Sequence, residues 1–229
     1  PYLRAIDAIN PMDAAFDDAL RAGITSAMIG PGSANVVGGS FCFVKTCGRS
    51  IDEIAVLSPA AMKIAFGENP KVNYSGQGKS PATRMAIAAM LREELFQARR
   101  YYEKKCGGMK AEDEDFRYEA WIPVFERKIP LKAHVHRADD IQTAIRIARE
   151  FHLDMTLDHC SEGHLITEKI KASGFPAIVG PDLASRSKIE VQNMAFKTIG
   201  ILNKAGIMTA ITTDHPVSLI QSLPICAGL

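Results

Sequence analysis

Short apolar runs alternate along this chain with longer stretches in which apolar residues recur every three or four positions. The short runs predict strands at residues 24–29, 61–66, 129–136, 154–158, 175–179 and 207–212, with weaker strand candidates at 41–45 and 54–57. We count about seven strands in all. Runs of this length, separated by amphipathic stretches, are typical of an α/β protein.

Helix signals lie between the apolar runs. Helices are predicted, in chain order, over residues 14–22, 83–106, 141–148, 163–172 and 187–205. Gly23 ends the first helix, and the pair Asp139 and Asp140 is expected to cap the third. Strands that alternate with helices predict right-handed βαβ units and a parallel sheet. Since no linker-like tract or internal repeat interrupts this alternation, we expect a single domain over residues 1–229.

Composition excludes several classes of protein. The 229 residues are 47% hydrophobic and 23% charged, which excludes a disordered chain and a collagen-like repeat. The formal net charge of +1 gives no reason to expect nucleic acid or an anionic membrane as partner. Five scattered cysteines, no apolar run long enough for a bilayer and no leader at the start predict a cytoplasmic protein.

Residue types that can bind metals lie at the ends of the predicted strands. Proteins with parallel sheets have their active and binding sites at the carboxyl ends of the strands. His134 and His136 are two positions apart and so point to the same face, His159 ends the next strand, and Asp214 follows the last. Imidazole nitrogens and a carboxylate converging from successive strands suit a divalent cation such as zinc. One histidine at a strand end is more often structural, but ligand-type residues at three strand ends favour a site.

Three further features carry weaker signals. Lys63 lies on a predicted strand, and a buried lysine needs either a carboxylate neighbour or chemical modification. Arg186 follows the penultimate strand and could clamp a substrate carboxylate, against the alternative of a plain surface residue. The glycine-rich loop at 30–39 does not have the spacing of a nucleotide cradle, and we expect a tightly turned or mobile site loop there.

Four segments together resemble the amidohydrolase superfamily, in particular its imidazolonepropionase-like and prolidase-like metal-dependent hydrolases. They are Lys-Ala-His-Val-His-Arg at 132–137, Leu-Asp-His at 157–159, Ile-Thr-Thr-Asp at 211–214 and, less firmly, Met-Lys-Ile at 62–64. The resemblance runs from about residue 23 to the end of the chain. It implies a (β/α)8 TIM barrel with metal ligands on strands one, four, five, six and eight.

The resemblance also implies roles for particular residues. His134 matches the metal ligand of the fifth strand, and His159 that of the sixth. Asp214 matches the aspartate of the eighth strand, which binds metal and acts as general base. Lys63 matches the fourth-strand lysine that is carboxylated and bridges two metals, whereas Glu68 is its rival as the ligand used by some mononuclear relatives. The expected cofactor is therefore one or two divalent ions, with zinc as the first choice.

The chain departs from the family pattern at the first barrel strand. No His-x-His pair stands before Gly23, and the pair formed by His134 and His136 falls at the fifth strand, so it does not replace the missing one. The chain also stops just after the eighth strand. We therefore expect an incomplete barrel of about seven of the eight strands, truncated at both ends, with incomplete metal binding on its own.

The implied function is hydrolysis of a C–N bond in a cyclic amide or dipeptide-like small molecule by metal-activated water. Asp214 would take and return the proton, His136 or His159 would stabilise the developing oxyanion, and Arg186 and His136 would contact the substrate. A homo-oligomer is possible because relatives commonly associate. The alternative is a non-catalytic barrel used for binding or assembly. A weaker third option, a phosphate-binding lyase, leaves the strand-end histidines unexplained.

Overall fold

Seven strands form one sheet in the computed structural model, which describes residues 1–229. In chain order they are β1 (Ser26–Ile29), β2 (Val37–Lys45), β3 (Ala55–Ala65), β4 (Leu131–Val135), β5 (Met155–His159), β6 (Ala177–Val179) and β7 (Thr209–Ile211). Each strand pairs with its neighbours in sequence, and β1 and β7 form the two edges. The α/β class and the count of seven strands are confirmed, and the open seven-stranded sheet is consistent with an incomplete barrel.

Ten helices connect and cover these strands. They are α1 (Ala14–Arg21), α2 (Ile51–Ile54), α3 (Glu68–Ser75), α4 (Arg84–Cys106), α5 (Phe116–Glu119), α6 (Ile122–Phe125), α7 (Ala138–Glu150), α8 (Thr167–Ser173), α9 (Lys197–Lys204) and α10 (Leu223–Gly228). None of them combines the length and the apolar composition that a membrane crossing needs. The long helix α4 has the predicted bounds, because Thr83 caps its first turn by accepting a hydrogen bond from the Ala86 amide.

The expectation of a parallel sheet is right for one part of the molecule and wrong for another. Strands β3 to β7 run parallel, whereas β1, β2 and β3 pair antiparallel. The predicted strands at 54–57 and 61–66 are parts of the single strand β3. Only residues 46–54 connect β2 to β3, and a parallel crossover needs a dozen residues or more, so this connection returns the chain antiparallel.

The two faces of the sheet differ in chemistry. On β4, Leu131, Ala133 and Val135 belong to the hydrophobic core, which they share with apolar residues of α4 and α7. The alternate residues Lys132 and His134 point to the opposite face, because side chains alternate along a strand. This inner face is buried and polar, and it forms the wall on which the candidate site is built.

Two helix predictions differ from the structure near the carboxyl ends of the strands. Asp139 and Asp140 lie inside the first turn of α7, and Arg137 occupies the cap position without a side-chain cap. The helix predicted over 187–205 is helical only from Lys197, apart from one 3-10 turn at Ile189–Val191. Contacts with other parts of the fold hold this segment as a loop, among them the bond from the Glu68 amide to the Glu190 carboxylate (2.7 Å).

Candidate metal centre

Three histidines meet at the carboxyl ends of β4 and β5. His134 lies on β4, His136 directly follows that strand, and His159 is the last residue of β5. One ring nitrogen from each lies within 4.8 Å of the other two, and all three residues are buried. The ring centroids are 4.5 to 4.7 Å apart. The predicted convergence of His134 and His159 is present, and His136 joins them.

The backbone at the end of β5 explains how His159 reaches this cluster. Asp158 pairs in register with His134, so simple alternation would turn the next side chain to the opposite face. His159 and Cys160 instead adopt positive φ angles of 70° and 49°. Such angles are uncommon for residues other than glycine and often mark functional sites. The left-handed turn allows the His159 ring to join the other two.

Hydrogen bonds orient two of the rings with one nitrogen available. His159 donates from Nδ1 to the carbonyl oxygen of Gly180 at 2.8 Å, which places its proton on Nδ1 and a lone pair on Nε2. His136 Nδ1 lies 2.8 Å from the hydroxyl of Ser161, again leaving Nε2 without a protein partner. Backbone or hydroxyl partners of this kind fix the orientation of metal-binding histidines.

His134 has polar partners at both ring nitrogens. Nδ1 lies 3.0 Å from Ser33 Oγ, and Nε2 lies 3.2 Å from Asn69 Nδ2. Lys188 donates to Asn69 Oδ1, so the amide presents its NH2 group to the imidazole. Nε2 therefore accepts in this arrangement, and Nδ1 carries the proton that is donated to Ser33.

Burial keeps all three imidazoles neutral. Loss of solvent lowers the pKa of His134 well below its usual value and lowers that of His136 to about 2, and repulsion from the neighbouring rings acts in the same direction. Burial also lowers the pKa of His159, although the charge of Asp214 opposes the shift. Neutral imidazole is the form that binds a metal. Three buried neutral donors from two adjacent strands therefore fit a divalent cation.

The charges beside the cluster are unbalanced. Lys132 and Asp158 form an ion pair with an Nζ–Oδ2 distance of 2.9 Å on the inner face of β4 and β5. Lys63, on the adjacent strand β3, is 5% exposed and has no ion pair or hydrogen bond. Burial lowers the pKa of Lys63, and the charges of Asp158 and Asp214 oppose the shift. Of these two carboxylates, Asp158 is already paired with Lys132, and Asp214 forms no ion pair with Lys63.

The remaining predicted residues lie outside the histidine cluster. Asp214 is exposed, but it lines the same cavity of about 1360 Å³ as His159 and Lys63. Glu68 is the first residue of α3 and is half-buried, and its carboxylate does not join the three rings. Arg186 is exposed, bonds the Met194 carbonyl at 2.8 Å and lines a separate cavity of about 190 Å³.

Glu190 is a buried acidic residue that the sequence analysis did not identify. It is 1% exposed, and its Oε1 atom lies 4.0 Å from His134 Nε2. Oε2 accepts the Glu68 amide, whereas Oε1 has no hydrogen-bond partner. The position lies within a segment whose pattern predicted a helix, so no local signal singled it out.

Comparison with known proteins places this site in a family context. No family model matches the chain. The curated protein "Amidohydrolase tasK" of Hapsidospora irregularis is 26% identical to it, over 95% of this chain and 25% of the relative. A solved amidohydrolase structure from Thermotoga maritima MSB8 is 38% identical, with a TM-score of 0.96 over 99% of this chain and 60% of the other.

Two facts follow from these comparisons. The chain spans about a quarter of the curated relative and about three fifths of the solved one. The fold is shared almost completely with the solved structure, and both relatives are named amidohydrolases. The resemblance seen in the sequence is confirmed: over almost its whole length the chain is similar to proteins named amidohydrolases.

Proposed function

We propose that this chain holds the metal centre of a hydrolase that cleaves a C–N bond in a small amide or cyclic amide. The observation that carries the proposal is the meeting of three buried imidazoles within 4.8 Å of one another, at the carboxyl ends of parallel strands. A divalent cation bound there supplies acidity to a water molecule and polarises a carbonyl group. Imidazole donors suit zinc, as one or two ions.

The donors proposed for the cation are His134, His136 and His159. Among these three histidines, the family resemblance implied this role for His134 and His159, and His136 was expected to contact the substrate or the oxyanion. The geometry supports a donor role for His136 as well, because its Nε2 has no protein partner and one of its nitrogens lies within 4.8 Å of the other two rings.

Lys63 is the better supported of the two candidates for the fourth-strand ligand. It lies on the inner face of β3 and lines the cavity with His159, whereas the carboxylate of Glu68 is not part of the three-histidine donor group and Glu68 does not line this cavity. Burial lowers the pKa of Lys63, which favours the neutral amine that carboxylation requires. This role rests on the resemblance and on the position of the side chain.

Asp214 is proposed as the general base. Its carboxylate lines the cavity beside His159, and its negative charge acts on the pKa of that imidazole. From this position it takes a proton from the attacking water and returns it to the leaving nitrogen. The substrate is expected to be a small molecule, as the similarity to amidohydrolases implies. Arg186, which the sequence predicts to contact the substrate, lines a separate cavity, and this role stays a prediction.

A second candidate function is binding or assembly without catalysis. One observation favours it: neither the Asp214 nor the Glu68 carboxylate joins the three histidines. Zinc as the metal, homo-oligomerisation and a cytoplasmic location remain predictions from the sequence.

Metal stoichiometry tests the proposed donors. The purified 229-residue chain, loaded with Zn²⁺ and desalted, is expected to retain at least one ion, and His136→Gln or His159→Gln to retain less than a tenth of that amount. His164→Gln is the matched control, because His164 bonds Thr198 Oγ1 (2.9 Å) away from the cluster. Equal metal content in all four proteins would contradict the proposal.

Hydrolysis assays separate catalysis from binding alone. A panel of N-acyl amino acids, dipeptides and small lactams is incubated with the zinc-loaded chain and with Asp214→Asn. The enzyme hypothesis expects turnover in the first protein and a loss of at least 100-fold in the second, with metal content unchanged. Metal binding without turnover on any substrate would favour the binding function for this chain.

A further inference from the structure

Glu190 is a buried acidic residue, and one of its two carboxylate oxygens accepts no hydrogen bond. Only 1% of the residue is exposed, and Oε1 has no hydrogen-bond donor. A buried carboxylate oxygen without a hydrogen bond is costly, and such a group in a native structure calls for an explanation such as a functional role. Lys188 Nζ forms a long ion pair with Oε1 at 3.8 Å, and His134 Nε2 lies 4.0 Å from the same atom, so neither makes a hydrogen bond to it.

The position of Glu190 is tightly determined from its other side. Oε2 accepts the Glu68 amide at 2.7 Å, at the start of α3. Gly67 precedes that residue with φ of +79°, and a Cβ atom there would lie 2.5 Å from the same oxygen. The carboxylate therefore packs into a space that only a glycine leaves open, with Oε1 towards His134.

Glu190 is near one histidine of the cluster and is not a joint donor with all three. The set of donor atoms within 4.8 Å of one another contains His134, His136 and His159 alone. A metal-binding histidine commonly donates the N–H of its other ring nitrogen to a nearby carboxylate. This hydrogen bond fixes which nitrogen carries the proton and which one binds the metal.

His134 Nε2 faces two groups with opposite requirements. With its proton on Nδ1, the ring donates to Ser33 and accepts from the Asn69 amide at 3.2 Å, as observed. With its proton on Nε2, the ring would donate to Glu190 Oε1 and leave the Nδ1 lone pair for a cation. The change moves one proton between two nitrogens of a neutral ring, and an approach of roughly 1 Å would complete the hydrogen bond.

We propose that Glu190 is a positioning residue that holds His134 in the Nε2–H tautomer, so that Nδ1 binds the cation. This inference rests on the proposed metal centre and deepens it. The negative charge also offsets part of the charge of a dication held by three neutral rings. The Glu190 side chain thereby links the loop after β6, the start of α3 and the metal centre.

Glu190→Gln tests the proposal with little risk to the fold. The glutamine oxygen can still accept the Glu68 amide, which turns its NH2 group towards His134 Nε2 and favours the wrong tautomer. Zn²⁺ affinity, measured by competition with a chromophoric chelator, is expected to fall 10- to 100-fold. Without metal, the melting temperature is expected to change little, because the substitution removes a buried charge with no hydrogen bond at Oε1 together with its long ion pair to Lys188.

Glu162→Gln is the matched control. Glu162 is another buried glutamate at a helix start, and both of its oxygens are paired, one with the Ala138 amide and one with Asn193, each at 2.8 Å. We expect its Zn²⁺ affinity to remain within twofold of the unsubstituted chain. An equal loss in both variants would overturn the proposal, because it would assign the effect to packing.

Ring nitrogen chemical shifts give a readout that a purely structural role would not change. In the ¹⁵N-histidine protein loaded with Zn²⁺, His134 is expected to show the Nε2–H tautomer, and Glu190→Gln to lose that signature. An Nδ1–H tautomer in the zinc-loaded chain would overturn the inference. If the unsubstituted chain bound no Zn²⁺ at all, the proposed function itself would fail, and if Glu190→Gln bound Zn²⁺ equally well, only this inference would.

Discussion

Single residues at the ends of β4 and β5 set the chemistry of the site. Lys132 and His134 reach the inner face by ordinary alternation, but His159 reaches its place only through a left-handed turn that includes Cys160. A residue in such a conformation carries strain of about 1–3 kcal/mol. The surrounding hydrogen bonds, such as that from His159 to Gly180, hold it there.

The pH dependence of stability follows from the buried imidazoles. Burial lowers their pKa values in the folded chain, so the unfolded chain binds more protons below its histidine pKa near 6.5. The free energy of unfolding is therefore highest above pH 6.5 and falls as the pH decreases below that value. Each histidine contributes a slope of about 1.4 kcal/mol per pH unit.

Urea unfolding in chelator between pH 7.5 and 5 measures this slope. His136→Gln is expected to reduce this slope by roughly one third, because it removes one of the three histidines that stay unprotonated in the folded chain. His152→Gln, at an exposed position outside the cluster, controls for loss of a histidine. A pH-independent free energy of unfolding would show that the three rings can be protonated in the folded chain.

Gly67→Ala tests how closely Glu190 packs. The added Cβ would approach Glu190 Oε2 to 2.5 Å, at a residue with φ of +79°. Backbone strain alone costs roughly 1–3 kcal/mol. Gly78→Ala is the control, because Gly78 has a similar φ of +68° and no atom within 4 Å of the added carbon. Urea unfolding is expected to show the larger loss at Gly67, and equal losses would argue against a tight contact.

At the scale of elements, the helices on the outer face stabilise the wall that carries the site. Helix α4 buries a row of apolar side chains against the sheet, among them Leu91, which is 0% exposed. The capping hydrogen bond from the Ala86 amide to Thr83 fixes where this helix begins. Its length and amphipathic spacing explain why its bounds were predictable from the sequence.

Leu91→Ala is expected to destabilise the chain by about 2–5 kcal/mol, because truncation leaves a cavity in a close-packed core. Met90→Ala, one position along the same helix and 39% exposed, is expected to cost much less. Chemical unfolding of both variants measures the difference. Similar costs would contradict the assigned orientation of α4.

At the scale of the whole molecule, the open sheet leaves both edge strands with one neighbour each. Strands β1 and β7 are not paired with each other, and the large cavity reaches from the inner face towards both edges. Two distant parts of the chain, the loop before β2 with Ser33 and the loop after β6 with Lys188 and Glu190, meet around His134.

Cation binding is expected to stabilise the whole chain, because the three donors come together only in the folded state. At Zn²⁺ concentrations 100 times the dissociation constant, the gain is about 2.7 kcal/mol, or roughly 5–10 °C in melting temperature for a chain of this size. Differential scanning calorimetry of the unsubstituted chain and of His159→Gln measures it. An equal shift in both would place the bound metal elsewhere.

The family resemblance and much of the site were predictable because their signals are local. The alternation at Lys132, His134 and His136 predicts a shared face from three residues alone, and the strand count follows from short apolar runs. The direction of β1 to β3 was not predictable in this way. Strand direction depends on which neighbour a strand pairs with and on the length of the connection, not on the apolar pattern of the strand itself.

The sequence by itself determined which residue types lie at the carboxyl ends of the strands, because hydrophobic periodicity is written into neighbouring positions. Only the tertiary structure decided that His136 joins His134 and His159, that Asp214, Glu68 and Arg186 stay outside the cluster, and that Glu190 approaches His134. Such distances arise when segments far apart in the chain fold against each other, as Ser33 and Glu190 do on either side of one ring, and no local pattern encodes them.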